Sequence, residues 1–169
     1  VAFSAIDEYA VRPRTDGAHS ILLGSMGALC TLMYSAPASP LTQPRNVLFG
    51  HLAAAVVGAA VNAITADDVH DDEGSGSGGG TPGATRSFGM PRWMAKAVAP
   101  AVAIAALGRM GITHPPAGAV SIIAVSDRTM IELGFRVVYL PVFAMAALSI
   151  AFAAVLNNSN SKRQYPMVW

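Results

Sequence analysis

Long apolar stretches separated by short polar ones dominate this chain. Because a helix needs about 20 mainly apolar residues to cross the hydrocarbon core of a bilayer, each long stretch predicts a transmembrane helix. The predicted spans cover about residues 18–36, 47–66, 93–112 and 137–156. A shorter apolar stretch over 117–126 is too short to cross and predicts a re-entrant helix. The pattern therefore predicts an all-α membrane protein, a bundle of four transmembrane helices plus one short re-entrant helix.

Composition narrows the class of protein. Hydrophobic residues make up 53% of the chain and charged residues 12%, whereas a soluble domain carries about 25% charged residues. The sequence has no basic stripe with interleaved aromatic residues, which argues against nucleic acid as a partner. It also lacks a paired His/Glu metal spacing inside a span and an evident nucleophile–base pair. We therefore expect neither a metal site nor an enzyme.

The chain divides around these spans into a predicted N-terminal stub (1–17), a transmembrane domain (18–166) and a C-terminal tail (167–169). Segment 67–92 joins an acidic cluster to a Gly/Ser run, a composition typical of a mobile exposed loop. With four spans, the stub, this loop and the C-terminus share one side. The Lys/Arg bias toward that side predicts that it faces the cytoplasm, the stroma or the matrix.

Small residues spaced four apart predict close approach of helices, since lipid supplies no hydrophobic drive for helix association. The pairs are Gly24 with Ala28, Ala54 with Gly58, and Ala101 with Ala105.

Polar residues at membrane depth are costly, so they are the first candidates for function. One polar stretch, 39–46, leads into the second span, with His51 about one turn inside. Pro44 before the helix and Asn46 as its N-cap would place free backbone N–H groups beside Arg45. Such a helix start is a plausible anion site. The alternative is a capped helix end with Arg45 at the lipid headgroups.

A second polar stretch, 113–119, follows the third span. Its two prolines, Pro115 and Pro116, are expected to end that span, and Gly118 permits close backbone approach. The short helix that follows would point its N-terminus into the bundle, an arrangement that many transporters use for a substrate site. His114 could donate a hydrogen bond to an anion or cap the third span.

Several sequence runs resemble the HPP family of integral membrane proteins, which is named for its His-Pro-Pro motif. They are APASPLTQPRNV at 36–47, GHL at 50–52, THPPAGA at 113–119, LNN at 156–158 and KRQYP at 162–166. The resemblance implies a four-helix membrane protein and a transporter, with a plant plastid branch associated with nitrite. The acidic and Gly-rich insert departs from the family pattern. The predicted substrate-binding residues are Arg45, Asn46, His51, Thr113, His114 and Gly118, and the predicted structural prolines are Pro40, Pro44, Pro115 and Pro116.

Two functions follow from these observations. The first is transport of a small, nitrite-like anion, with no cofactor required. The alternative is an accessory subunit of a photosynthetic or respiratory membrane complex, with bound lipid or with chlorophyll ligated by His19, His51 or His114. Expected partners are membrane lipid, a small inorganic anion, and further copies of the chain or other membrane subunits. We expect a plastid membrane, thylakoid or envelope, with the bacterial plasma membrane and the mitochondrial inner membrane as alternatives.

Overall fold

Helices form nearly all the regular structure of residues 24–65 and 89–168, the parts of the chain that the computed structural model describes. They are α1 (Met26–Ser35), α2 (Pro44–Ala63), α3 (Arg92–Met110), α4 (Pro115–Ser126), α5 (Arg128–Leu133) and α6 (Ala144–Asn158). Within these ranges no strand occurs, and one backbone bridge joins Thr65 to Met90. The all-α prediction is therefore confirmed. The predicted stub, His19 and most of the predicted acidic loop lie outside the described residues.

Three helical segments of the described chain are long and apolar enough to cross a membrane: Pro44–Ala63, Arg92–Met110 and Arg128–Asn158. The last is interrupted: a 3₁₀ turn (Gly134–Val138) follows α5, and the backbone leaves helical geometry at Leu140, within the turn Tyr139–Phe143 that leads into α6. Two shorter apolar helices, α1 and α4, accompany them. The predicted count of four spans plus a re-entrant helix is not confirmed. The first predicted span, 18–36, is described only from residue 24, where its helix is α1.

The short helix α4 runs parallel to α2. A Cβ placed on Gly50 would lie 2.9 Å from the Cβ of His114, and one placed on Gly58 would lie 2.7 Å from the Cβ of Ala124. The chain reaches α3 at the far end of α2, where the Met90 N–H donates to the Ile64 carbonyl at 3.0 Å. Helix α4 thus begins beside the start of α2 and ends beside its end, instead of returning to the side from which it came.

The reason lies in how α3 ends. Gly111, in the left-handed region at φ 65°, closes α3 four residues before the first proline of the motif. Pro115 and Pro116 therefore begin α4. The prediction that these two prolines end the third span is wrong. Proline favours the first turn of a helix, because its fixed φ suits that position and its missing N–H would have no helical partner. We call the end of the bundle where Pro44 and Pro115 lie the proline end.

The C-terminal segment also lies at the proline end. The Asn157 amide donates to the Met33 carbonyl at 3.4 Å, and the Tyr165 hydroxyl donates to the Thr42 carbonyl at 2.9 Å. Thr65, where the described chain stops before the acidic segment, lies at the opposite end of α2. The prediction that the C-terminus and the acidic loop share one side is not supported, because Thr65 and Met90, the described residues at the two ends of that loop, lie at the end of the bundle opposite to the C-terminal segment.

Positive charges are balanced between the two ends of the described chain. The proline end carries Arg45, Arg109, Lys162 and Arg163, and the opposite end carries Arg92, Lys96, Arg128 and Arg136. The rule that Lys and Arg concentrate on the cytoplasmic side therefore gives no orientation from these residues.

Small residues bring α2 into the centre of the bundle, where it packs against α3, α4 and α6. Ala54 is fully buried and Gly58 meets α4 directly, so this predicted packing pair is confirmed. Ala101 and Ala105 are exposed, because α3 buries a different row of its surface. That row is Ala95, Ala99, Ala103 and Leu107. Gly24 and Ala28 are exposed as well.

Candidate functional site

A compact turn sets up the start of α2. Residues Pro40–Thr42 form a 3₁₀ turn, in which the Leu41 N–H donates to the Ser39 hydroxyl at 3.3 Å. Gln43 is the N-cap of α2 and Pro44 its first residue. Asn46 is therefore the third residue of the helix. The prediction that Asn46 is the N-cap is wrong. Proline at the first helical position draws the helix start forward by three residues.

Buried polar side chains in this turn have partners. The Thr42 hydroxyl donates to the Ser39 carbonyl at 2.7 Å. The Gln43 amide nitrogen donates to the carbonyls of Ser39 and Pro37 at 2.9 and 3.0 Å. Its amide oxygen accepts the N–H groups of Met167 and Val168 at 2.8 and 3.2 Å. The C-terminal segment is thus fastened to the start of α2 by hydrogen bonds that satisfy both partners.

His114 occupies the N-cap position of α4 and is 1% exposed. Its Nδ1 lies 2.7 Å from the Leu41 carbonyl oxygen. A carbonyl oxygen can only accept a hydrogen bond, so Nδ1 must carry the hydrogen, and the neutral ring keeps its lone pair on Nε2. The Nε2 atom is buried and has no hydrogen-bond partner among the described residues.

His51, one helix away, has the same arrangement. Its Nδ1 lies 2.8 Å from the Val47 carbonyl oxygen, one turn back along α2. Its side chain is fully buried, and its Nε2 has no hydrogen-bond partner within the described chain. The rings of His51 and His114 are 4.8 Å apart between centroids and tilted by 53°. We call these two residues the histidine pair.

Gly50 makes the contact between the two histidines possible. A Cβ on this residue would lie 2.9 Å from the His114 Cβ and 3.5 Å from the Ile112 carbonyl oxygen. Any larger residue would hold α4 away from α2 and separate the rings. Position 51 lies seven residues inside α2, which places the histidine pair about 10 Å from the proline end. That depth is about one third of a 30 Å hydrocarbon core.

The other predicted site residues lie in different surroundings. Asn46 lies next to Thr113, since its amide donates to the Thr113 carbonyl at 3.3 Å. Arg45 is exposed, and the described chain offers its side chain no hydrogen bond or ion pair. Gly118 faces the Ile104 side chain of α3, from which a Cβ placed on Gly118 would lie 3.5 Å, an ordinary packing distance. The predicted prolines lie at the starts of helical elements, with Pro44 and Pro116 buried and Pro40 and Pro115 exposed.

Carboxylates are distributed unevenly over the described residues. Only Asp127 and Glu132 occur there, and both lie at the opposite end from the histidine pair. Asp127 caps α5 by accepting the Met130 N–H at 3.1 Å, and Glu132 pairs with Arg128 at 3.3 Å. In the described chain, the proline end therefore carries arginine and lysine side chains with no carboxylate to offset them.

Few of the described residues could ligate a metal ion or a pigment. The described residues contain no group of three or more His, Cys, Asp or Glu side chains that could hold a metal ion. A chlorophyll magnesium would need an imidazole nitrogen as its ligand, and the Nε2 atoms of His51 and His114 are both buried with no hydrogen-bond partner in the described chain.

Two backbone carbonyls of the site and one buried hydroxyl of the bundle were not singled out from the sequence. The carbonyls of Leu41 and Val47 fix the two rings, but backbone groups leave no signal in an amino-acid pattern. Ser149 is a buried hydroxyl in α6 with no hydrogen-bond partner in the described chain. A lone polar residue within an apolar span would have pointed to it.

The family model described as HPP, transmembrane region, matches residues 1–166 of this chain. The chain belongs to the HPP family. Two proteins of Dictyostelium discoideum, both described as transmembrane proteins, are similar to it. One is 28% identical over 94% of this chain and 48% of its own length, and the other is 30% identical over 88% and 41%. This HPP chain thus spans about half the length of the curated relatives it matches. No solved structure gives a match.

Membership of the family agrees with the fold. The HPP motif at 114–116 is the start of α4, and the resembling run at 36–47 is the turn and first residues of α2. The structure brings these two runs into contact through the Asn46 and His114 hydrogen bonds. This HPP chain is an integral membrane protein.

Proposed function

We propose that this HPP chain transports a small inorganic anion across its membrane, and that nitrite is the first substrate to test. The observation that carries the proposal is the histidine pair, two buried rings in contact whose Nε2 atoms have no partner in the described chain. Polar atoms at membrane depth that satisfy no neighbour are costly, and a bound solute would offset that cost.

Charge at the proline end favours an anion as the solute. Arg45, Arg109, Lys162 and Arg163 lie at this end, and no carboxylate of the described chain accompanies them. A surface of one sign raises the local concentration of small ions of the opposite sign. Arg45 is exposed one residue before Asn46, whose amide contacts the segment that holds His114. An anion drawn to Arg45 would have the histidine pair about 10 Å further along the bundle.

Flux into proteoliposomes tests this proposal. The purified chain is reconstituted, and uptake of nitrite and of chloride is compared with that of protein-free vesicles. We expect nitrite uptake above the protein-free rate, and a loss of most of that uptake in His114→Ala. Arg45→Ala should lower the uptake several-fold at low salt, with a smaller effect at high salt because ions screen the attraction.

Arg128→Ala is the matched control for Arg45→Ala. Arg128 is exposed like Arg45, but it lies at the opposite end, paired with Glu132. We expect its replacement to leave nitrite uptake unchanged. Absence of nitrite uptake, or uptake that survives both Arg45→Ala and His114→Ala at the original rate, would overturn the proposal.

Lipid and further membrane subunits remain the proposed partners, in a plastid membrane by preference. Helix α3 buries one row of side chains and exposes large apolar ones, among them Trp93, Val102, Ile104 and Met110. Such a face suits lipid tails or another subunit. Migration of the native chain on a native gel separates the two cases, because an accessory subunit would move with a large assembly of different proteins.

A further inference from the structure

The histidine pair, in its neutral form, offers only acceptors. Each Nδ1 hydrogen is already donated to a backbone carbonyl, of Val47 for His51 and of Leu41 for His114. Each Nε2 therefore presents a lone pair and no hydrogen. An anion also presents lone pairs, so the neutral pair would repel it. An anion can accept a hydrogen bond here only after one of the rings has taken up a proton at Nε2.

A proton alone would be equally unfavourable at this position. A charge buried without a partner is costly, and the described chain supplies no carboxylate near the pair. The titratable and charged groups on the elements that surround the pair are Cys30 and Tyr34 of α1, Arg45 of α2, Arg92, Lys96 and Arg109 of α3, Arg136 and Tyr139 of the turns before α6, and Lys162, Arg163 and Tyr165 of the C-terminal segment. None of them carries a negative charge at neutral pH.

From these two facts we infer that the histidine pair binds one proton together with each anion. The proton adds to the Nε2 lone pair of His51 or His114, and the new N–H donates to an oxygen of the anion. The pair of ions is neutral, so neither is left uncompensated in the bundle. On release, the proton leaves the same Nε2 and the anion departs with it. Transport would therefore move one anion and one proton in the same direction, with no net charge.

This inference rests on the proposed function and gives it a mechanism of coupling. Binding of each ion must strengthen binding of the other by the same factor, because linked equilibria are reciprocal. A cation such as ammonium could donate to an unpartnered Nε2, but it would bring in a net positive charge that no carboxylate near the pair in the described chain compensates. The geometry and the charge together thus favour an anion with its proton over a cation.

Nitrite binding to the purified full chain at several pH values tests the coupling. If one proton enters with each anion and the free pair is neutral, the dissociation constant should rise about tenfold for each pH unit between about pH 6 and 8. Isothermal titration in buffers of different ionisation enthalpy should give an uptake of about one proton per nitrite bound. A dissociation constant that does not change with pH would overturn the inference and leave the proposed function standing. No nitrite binding at any pH would overturn both.

Asparagine replacements separate the proton site from the fold. His51→Asn and His114→Asn each keep a side-chain N–H for the carbonyl that Nδ1 now contacts, but neither can take up a second proton there. We expect each variant to bind nitrite at least tenfold more weakly at about pH 6, with a reduced slope against pH. His70→Asn, a histidine of the acidic stretch of the sequence, is the control and should keep the full slope. Unchanged slopes in both pair variants would contradict the assignment.

Flux in wild-type vesicles checks the same point without any substitution. With the membrane potential clamped, an inward proton gradient should accelerate nitrite uptake, and a pH dye inside the vesicles should record one proton for each nitrite. Changing the potential at constant pH should leave the rate unchanged. Uptake that follows the potential and ignores the proton gradient, or potential-driven uptake of ammonium, would overturn the proposal.

Discussion

Two proline-started helices lie side by side at the proline end, yet their polar groups differ in one respect. At the start of α2, the side chains of Thr42 and Gln43 are buried and form hydrogen bonds with the turn and the C-terminal segment. At the start of α4, His114 is buried to the same degree, but its Nε2 has no partner in the described chain. His51 of α2, against which it packs, has an Nε2 in the same state.

The difference separates structural polarity from functional polarity. A buried polar group with a hydrogen-bond partner stabilises one conformation. A buried polar group without a partner lowers the stability of the fold, so its presence indicates a role other than stability. Both regions contain runs that resemble the same family, so resemblance alone does not tell them apart. Replacing residues in each region should therefore affect different quantities, stability in the first and transport in the second.

The largest effect on stability is expected for Gln43→Leu. Leucine has a similar size but removes the acceptor of two backbone N–H groups, of Met167 and Val168, and the donor to two carbonyls. We expect a loss of about 3 kcal/mol, because the replacement removes four hydrogen bonds, each of which contributes about 0.5–1.5 kcal/mol. Unfolding of the chain in detergent micelles, followed by circular dichroism, measures this loss.

Gln164→Leu is the matched control for that measurement. Gln164 is exposed, so its replacement should change stability by less than about 0.5 kcal/mol. If Gln43→Leu behaved like this control, the start of α2 would not be the structural region that its hydrogen bonds indicate.

A smaller loss is expected for Gly50→Ala. The new Cβ would lie 2.9 Å from the His114 Cβ, an atom that cannot move without its helix. We expect a cost of about 2 kcal/mol, typical of overpacking, together with a loss of anion binding as the rings separate.

Gly108→Ala in α3 is the control, because no atom lies within 4 Å of its added Cβ. That variant should be as stable as the wild type or more stable by about 0.5–1 kcal/mol, since glycine disfavours helix.

The close packing at Gly50 is an example of what the sequence does not predict, namely which helices lie against each other. Apolar length predicts the helices of the described chain, because the cost of unpaired backbone groups in lipid admits few other structures. It does not predict their direction. Helix α4 is 12 residues long and its sequence predicts a re-entrant helix, while the structure shows it running parallel to α2. This direction is set by the contact of Gly58 with Ala124, and in an Ala-rich sequence many small pairs could have made that contact.

The candidate site was predictable to a similar extent. Polar residues in apolar surroundings pointed to His51 and His114, and the structure places these two in contact. Arg45 was included as a guanidinium beside a helix start and Gly118 as a motif residue that permits close approach; the structure leaves Arg45 exposed and packs Gly118 on α3. Which nitrogen of each ring remains open depends on the carbonyls of Val47 and Leu41. Residue types carry no information about such backbone partners.

Tyr165→Phe should cost less than either replacement above. It removes one hydrogen bond, from the hydroxyl to the Thr42 carbonyl, at a cost of about 1 kcal/mol. Burial, with a smaller contribution from Tyr34, raises the pKa of Tyr165 above its ordinary value. The unfolded chain therefore loses this proton first, so stability should fall as the pH rises above about 10. The fall should be weaker in Tyr165→Phe, and thermal midpoints in detergent over that pH range measure it. Equal falls in both proteins would contradict the role of this phenol.

The smallest effect on stability and a large one on transport are expected together in His114→Leu. Leucine loses the bond from Nδ1 to the Leu41 carbonyl, which destabilises the fold, but it also removes the unpartnered Nε2, which stabilises it. Because the two terms oppose each other, the net change in the free energy of unfolding should stay within about 1 kcal/mol. Nitrite uptake should nevertheless fall to the rate of protein-free vesicles. Parallel measurement of unfolding and uptake in His114→Leu and Gln43→Leu tests whether the start of α2 serves stability and the start of α4 serves transport. If His114→Leu were the less stable of the two while it still transported nitrite, the roles assigned to the two helix starts would be reversed.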